Sequence, residues 1–267
     1  MDNMIAIMYR KFIDQAISLL YYFGGLLAYS WMMIAMFPTM KTADLAGIYN
    51  QFPKEFLKFF GANGIESMGT VEGFLSIEFL SLFFILIIAF YIGSSAGSTI
   101  AGAIEKRTMD FQLSQPISRA KLLLSETIVG LLNTALLVFA TSGSIYILAK
   151  AYDVSMSTRG IFVFAFVAII FLWAFYGLAV LISSILRSKI TVASITVSII
   201  MGLYILNALS KIVDKLAKIE KYTLFNMYNP QKLLTDHIIN WHQIEFLLLV
   251  LVVGIISSIL IFNNKDI

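Results

Sequence analysis

Cysteine is absent from this chain, histidine occurs twice, proline four times, and only 13% of the 267 residues are charged. The missing thiols exclude disulfides, thiolate metal sites and cysteine nucleophiles. His237 and His242 lie beside Trp241 with no carboxylates at metal-ligand spacing, so they read as interfacial residues and no metal site is expected. No Gly-x-x-x-x-Gly-Lys-Ser/Thr run occurs, so the backbone cradle for ATP phosphates is not in this polypeptide. His-Glu-x-x-His, a Gly-x-Ser-x-Gly elbow and a paired-carboxylate site are missing too, which leaves hydrolysis without a nucleophile or a metal. No catalytic residue and no bound cofactor are expected here. Ionisable groups deep inside the apolar runs are almost missing, which counts against an ion-coupled secondary transporter.

What is present is apolar surface. Hydrophobic residues make up 59% of the chain and the mean hydropathy is +0.86, far above a soluble domain's balance. We read an all-α integral membrane protein, one transmembrane domain over 1–267. The net charge of +3 forms no stripe, so nucleic acid is not an expected partner, whereas membrane lipids are. Apolar runs long enough to cross a ~30 Å hydrocarbon core fall at 16–37, 74–103, 122–149, 160–186, 190–209 and 244–262, giving six transmembrane helices. The first has no small-residue cleavage pattern after it and reads as a retained span.

The second run, 74–103, would make roughly 45 Å of helix at 1.5 Å per residue, enough to project beyond the bilayer as a stiff rod. Its only charge is Glu78, near one boundary, which reads as a snorkelling carboxylate. Gly93, Gly97 and Ala101 repeat every four residues, with Ser94 and Ser98 one position on, and predict close approach of another helix. Before the first run, Arg10, Lys11 and Asp14 alternate with Ile5, Ile7, Met8, Phe12 and Ile13, as in a helix lying along the headgroup boundary. Two longer polar segments, 38–73 and 210–243, connect spans on the other side. In the first, Phe52, Phe56, Phe59 and Phe60 fall near one helical face. The second sets Ile212, Val213, Leu216, Ile219 and Tyr222 against Lys211, Lys215, Lys218 and Lys221, and is then broken at Pro230. Among the polar residues inside spans, Asn133, Ser194, Ser198 and Asn207 are candidates for lining a pathway. The hydroxyls are equally able to bond back to their own helix.

Between the second and third runs stands a polar island, IEKRTMDFQLSQPISRAKLLLSE, from Ile104 to Glu126. Glu105 to Ser114 mixes charge with Met109, Phe111 and Leu113, so a short helix there presents an apolar edge. Gln115-Pro116 stops it, because proline removes a donor and turns its predecessor away from helical geometry. Ser118 then caps a helix starting near Arg119. Composition alone reads equally well as an ordinary loop with a positive-inside cluster of Lys106, Arg107, Arg119 and Lys121.

The run Glu105, Thr108, Leu113, Ser114, Pro116, Ile117, Ser118, Arg119 resembles the signature after the second span of type-2 ABC exporter permeases, commonly Glu-x-x-Thr followed by Leu-Ser-x-Pro-Ile/Val-Ser-Arg. Two positions depart from it: Arg107 stands where glycine is common, and Glu126 where a basic residue often follows. The resemblance implies an N-terminal elbow helix, a cytosolic coupling helix over 104–120 and an external re-entrant or interfacial element between spans five and six. It also implies an ABC ATP-binding subunit carrying ATP and Mg, and a second permease copy or homologous permease. Glu105, Arg107 and Asp110 are then polar docking contacts for the ATP-binding subunit, Phe111 and Leu113 the apolar plug, and Pro116 with Arg119 the element holding the bend. The expected activity is ATP-driven export of an amphiphile such as a peptide, lipid or drug from a bacterial cell. A non-transporting scaffold or sensor subunit and an ion-coupled carrier are the rivals. Charge does not orient the spans, since nine of nineteen basic residues fall on the proposed inner side. The resemblance places both termini in the cytosol of a multi-pass cell-membrane protein.

Overall fold

A computed structural model describes residues 2–42, 69–114, 116–216 and 223–265. All the regular structure among the described residues is helical, without strands. The helices are α1 (Asp2–Thr42), α2 (Val71–Leu75), α3 (Phe83–Gly97), α4 (Ala101–Glu105), α5 (Met109–Leu113), α6 (Arg119–Ala151), α7 (Thr158–Ile185), α8 (Lys189–Ser210), α9 (Pro230–Thr235) and α10 (Trp241–Asn263). A π-helical turn, Ser76–Leu80, follows α2, and short 3-10 turns occupy Asp214–Leu216 and Leu224–Met227. Five helices are long and apolar enough to cross a membrane, and the pair Val71–Leu80 and Phe83–Gly97, bent by 41°, brings the number to six if counted as one span. The aromatic face proposed at Phe52 to Phe60, and Lys218, Ile219, Lys221 and Tyr222 of the second surface helix, lie outside the described residues.

Two expectations from the apolar pattern are corrected. The N-terminal stretch is not a separate elbow, because helical hydrogen bonding continues from Asp2 through the first span and past Pro38 to Thr42. Nor is 74–103 one unbroken rod. Ser76 Oγ and Ser81 Oγ donate at 2.6 Å to the Glu72 and Ser76 carbonyls, competing with the ladder where it widens into the π turn. The carbonyls released by the break are met from elsewhere: Tyr29 OH donates to that of Glu78 at 3.2 Å and Tyr228 OH to that of Leu80 at 3.0 Å. A second interruption separates α3 from α4. There Ser183 Oγ, on α7, accepts from the Ile100 and Ala101 amides at 3.4 and 3.2 Å. Breaks at this depth persist because neighbouring side chains satisfy the freed backbone groups.

The core is built around α7, which packs against α10, α6, α3, α9 and α8. Its approach to α10 is backbone on backbone, since a Cβ on Gly254 would sit 2.7 Å from the Gly177 carbonyl carbon and oxygen. The small-residue face on α3 meets α8, where a Cβ on Gly93 would lie 2.8 Å from Ala193 Cα. Outside this core, α1 packs mainly along α6 and leaves one long side exposed. Near the break in the second span, Phe225 and Tyr228 insert into an aromatic cluster, with Tyr228 stacked on Phe171 at 4.6 Å and Tyr204 edge-on to Phe225 at 5.5 Å. The break falls between the turn at Leu224–Met227 and Pro230, which opens α9 at its first turn, where a missing donor costs nothing, and Asn229 caps the same turn by accepting from the Lys232 amide at 3.1 Å. The start of α1, the end of α10 and α5 share one end of the bundle, tied by Lys11 to Glu126 and by Arg119 to the α10 terminus.

Candidate functional site

At that end the helix, break, helix order of the polar island is present. α5 is a single turn of helix anchored by Met109, which is buried, and it presents Phe111 to solvent at 65% exposure. Asp110 is exposed beside it, Leu113 is half-buried against the core, and Pro116 is exposed at the turn. Ser118 caps α6, accepting from the Lys121 amide. Arg107 adopts φ 55°, the left-handed conformation, which costs most residues about 1–2 kcal/mol and glycine almost nothing. The glycine common at this position in the resembling signature therefore has a backbone reason.

Three of the bundle's helix ends are closed here by side chains from other elements. Glu105 Oε2 accepts from the Lys189 amide at 2.6 Å and so caps the N-terminus of α8. Arg119 Nη1 donates to the Phe262 and Lys265 carbonyls at 3.0 and 2.6 Å, with its guanidinium 5.6 Å from the centre of the Phe262 ring. Lys265 Nζ donates to the Ser184, Ile185 and Leu186 carbonyls at 2.7, 3.1 and 3.0 Å, closing the C-terminus of α7. Each places the appropriate sign at a helix dipole end. Partial burial and the nearby Arg187 charge pull the Lys265 ammonium below the ordinary lysine range. Arg119 thus also holds the end of α10, and Glu105 has a structural bond of its own.

Beside α5 opens a cleft of about 650 Å3 between the first turns of α1, the end of α3, α4 and the start of α6, with Phe111 and Gln112 on its lip. Lys11 Nζ makes a 3.0 Å ion pair with Glu126 Oε2 at its base and donates to Ser98 Oγ at 3.0 Å. Both charged side chains are close to buried, at 11% and 8% exposure. Deeper in, Gln15 Oε1 accepts from Asn133 Nδ2 at 2.9 Å and from Tyr91 OH at 3.3 Å, while Gln15 Nε2 donates to Ser95 Oγ at 3.0 Å. Ser95 Oγ and Tyr176 OH share a further hydrogen bond at 3.2 Å. One polar network therefore joins α1, α3, α6 and α7.

A profile for the ABC-2 family transporter protein matches residues 5–267. The chain belongs to the ABC-2 transporter family. It is a multi-pass membrane protein and the permease component of an ABC transporter, which as a family implies association with an ABC ATP-binding subunit. No match is found among curated proteins.

In this permease none of the four polar spots proposed for a pathway lines the cleft beside α5. Asn133 is fully buried in the network just described, and its Oδ1 has no protein partner. Asn207 is buried too, accepting from Thr223 Oγ1 at 2.7 Å and so fastening the return segment to α8. Ser194 and Ser198 face outward on the exposed side of α8. Gln15, Ser95 and Tyr176 were not singled out from sequence, Lys11 was read only as part of a headgroup-boundary helix, and Glu126 was counted with the polar island although it stands in the packed part of α6. The one available signal was a carboxylate inside the apolar run LLLSETIVG.

Proposed function

We propose that this permease is the membrane half of an exporter, pairing with a second copy or a homologous permease to give twelve spans. In this reading α5 lies in the cytosol with both termini, in a bacterial plasma membrane, and seats in a groove of the ATP-binding subunit. ATP and Mg belong to that subunit, and the chain itself performs no hydrolysis. Asp110 and Arg107 supply polar contacts, and Phe111 with Leu113 the apolar plug. The cargo is an amphiphile, because the bundle offers apolar walls with scattered hydroxyls.

The observation that carries the reading is the exposed Phe111 on a turn fastened by buried Met109 and by the shared caps. Force applied to α5 reaches α8 through Glu105 and α10 through Arg119. Stiffness comes from this cross-capping instead of from a single long rod. ATP-driven closure of the paired subunits then draws the two coupling segments together and rocks the spans from inward-open to outward-open, with hydrolysis resetting them.

The test is purification of the chain with and without its co-expressed ATP-binding neighbour. The chain alone should show no ATPase activity, the complex should be stable, and Asp110→Ala with Phe111→Ser should abolish the complex without unfolding the permease. Transport driven by an ion gradient with no ATP-binding partner would refute the reading. A copurifying ATPase indifferent to every candidate amphiphile would replace it with a scaffold role.

A further inference from the structure

We propose that the cleft beside α5 binds the phosphate headgroup of an anionic membrane lipid. Its walls carry Arg10, Lys11, Lys106 and Lys189 against Asp14 and Glu126. The Lys11–Glu126 pair is satisfied internally at 3.0 Å, which leaves Arg10, Lys106 and Lys189 against Asp14 among the lining residues, with the Glu105 carboxylate nearby on the Lys189 amide. Among the described residues, the side chains of Arg10, Lys106 and Lys189 make no hydrogen bond or ion pair. An anion entering here meets the side-chain cations of Arg10, Lys106 and Lys189 together with the hydroxyl of Ser94, a donor set that a phosphate's oxygens accept from. At about 650 Å3 the cleft admits a headgroup with room for ordered water.

The neighbouring surface selects a lipid-borne phosphate over a soluble one. The α1 residues that line the cleft are flanked by Ile5, Tyr9, Ile13, Ile17 and Leu20, each half or more exposed. That apolar strip leads from the cleft along the first span, where acyl chains lie. A free anion has no use for it, whereas a headgroup tethered to acyl chains is held at both ends. Because Phe111 and Gln112 form the lip of the same cleft, an occupant touches the coupling segment directly. The inference rests on the permease reading for its position at the membrane boundary.

The test uses the full chain in phosphatidylcholine nanodiscs doped with dioleoyl phosphatidic acid, counting retained lipids by native mass spectrometry. Phosphatidic acid should be retained in preference to phosphatidylcholine. Arg10→Gln with Lys106→Gln, both at exposed positions, should lower that preference about fivefold per cation, roughly twenty-fivefold together. Arg159→Gln with Lys232→Gln, the same loss of charge at the opposite end, should leave it unchanged. Equal retention of the two lipids, an equal loss in the opposite-end variant, or displacement by inorganic phosphate as effective as by phosphatidic acid would overturn the proposal. Thermal midpoints of both variants confirm folding. Capture of the ATP-binding subunit by the same variants reports separately on the permease reading, so an intact complex without lipid preference defeats this inference alone.

Discussion

Replacing Lys11 by methionine isolates what the ion pair at the base of the cleft contributes. The substitution keeps the side chain's length and apolar stem but leaves Glu126, at 8% side-chain exposure, with no counter-charge. Removing one partner of a buried pair costs about 3–5 kcal/mol, because the remaining charge is stranded away from water. For a chain of this size, each kcal/mol moves the thermal midpoint by roughly 2–4 °C, so a fall of about 10 °C is expected. Glu126→Met alone should do comparable damage, since the ammonium would keep only Ser98 Oγ as partner. The double variant carries no stranded charge and should return to within about 1 kcal/mol of the parent, buried pairs being close to neutral against apolar replacements. The assay is thermal unfolding in detergent followed by circular dichroism, completed as a double-mutant cycle. High salt should change these differences little, because the pair is largely shielded from solvent. Single variants within about 0.5 kcal/mol of the parent, or a double variant costing the sum of the singles, would refute the reasoning.

Further outcomes follow from the backbone and the caps. Arg107→Gly should stabilise the protein by up to about 1 kcal/mol, the left-handed φ of 55° no longer opposing a side chain, and thermal unfolding should show the midpoint rising. Gly254→Ala should cost about 3 kcal/mol, since its Cβ would meet Gly177 backbone at 2.7 Å, whereas Gly202→Ala, mid-helix with nothing within 4 Å, should stabilise by about 0.5–1 kcal/mol in the same assay. Glu105→Ala removes the acceptor on the Lys189 amide and should cost about 1 kcal/mol, visible as faster hydrogen exchange over the first turn of α8.

Much of the helical layout was legible because crossing a membrane demands long apolar runs, and the runs containing Phe164 and Leu247 are helices. Local chemistry was legible as well: Ser118 caps α6 as its place before Arg119 predicts, and Gly93 marks a close helix approach. The breaks in the second span were not, because hydropathy treats Ser76 and Ser81 as tolerated polar spots. The groups that satisfy the broken ladder, Tyr29, Ser183 and Tyr228, lie 49 to 148 positions away. The same holds for the candidate site. The exposed α5 turn could be read from Pro116 and the residues around it, but the Lys11–Glu126 pair spans 115 positions and exists only once α1 packs on α6. Glu105 and Arg119 were recognisable as motif residues, and only the fold shows that each also closes another helix.

The central claim is that α5 faces the cytosol and is covered there by an ATP-binding subunit. With no native cysteine in the chain, Phe111→Cys provides a single thiol at a 65% exposed position. A membrane-impermeant maleimide should label it in inside-out vesicles, fail to label it in intact cells, and be excluded once the ATP-binding subunit is bound. Labelling from outside intact cells, or labelling untouched by that subunit, would contradict the account.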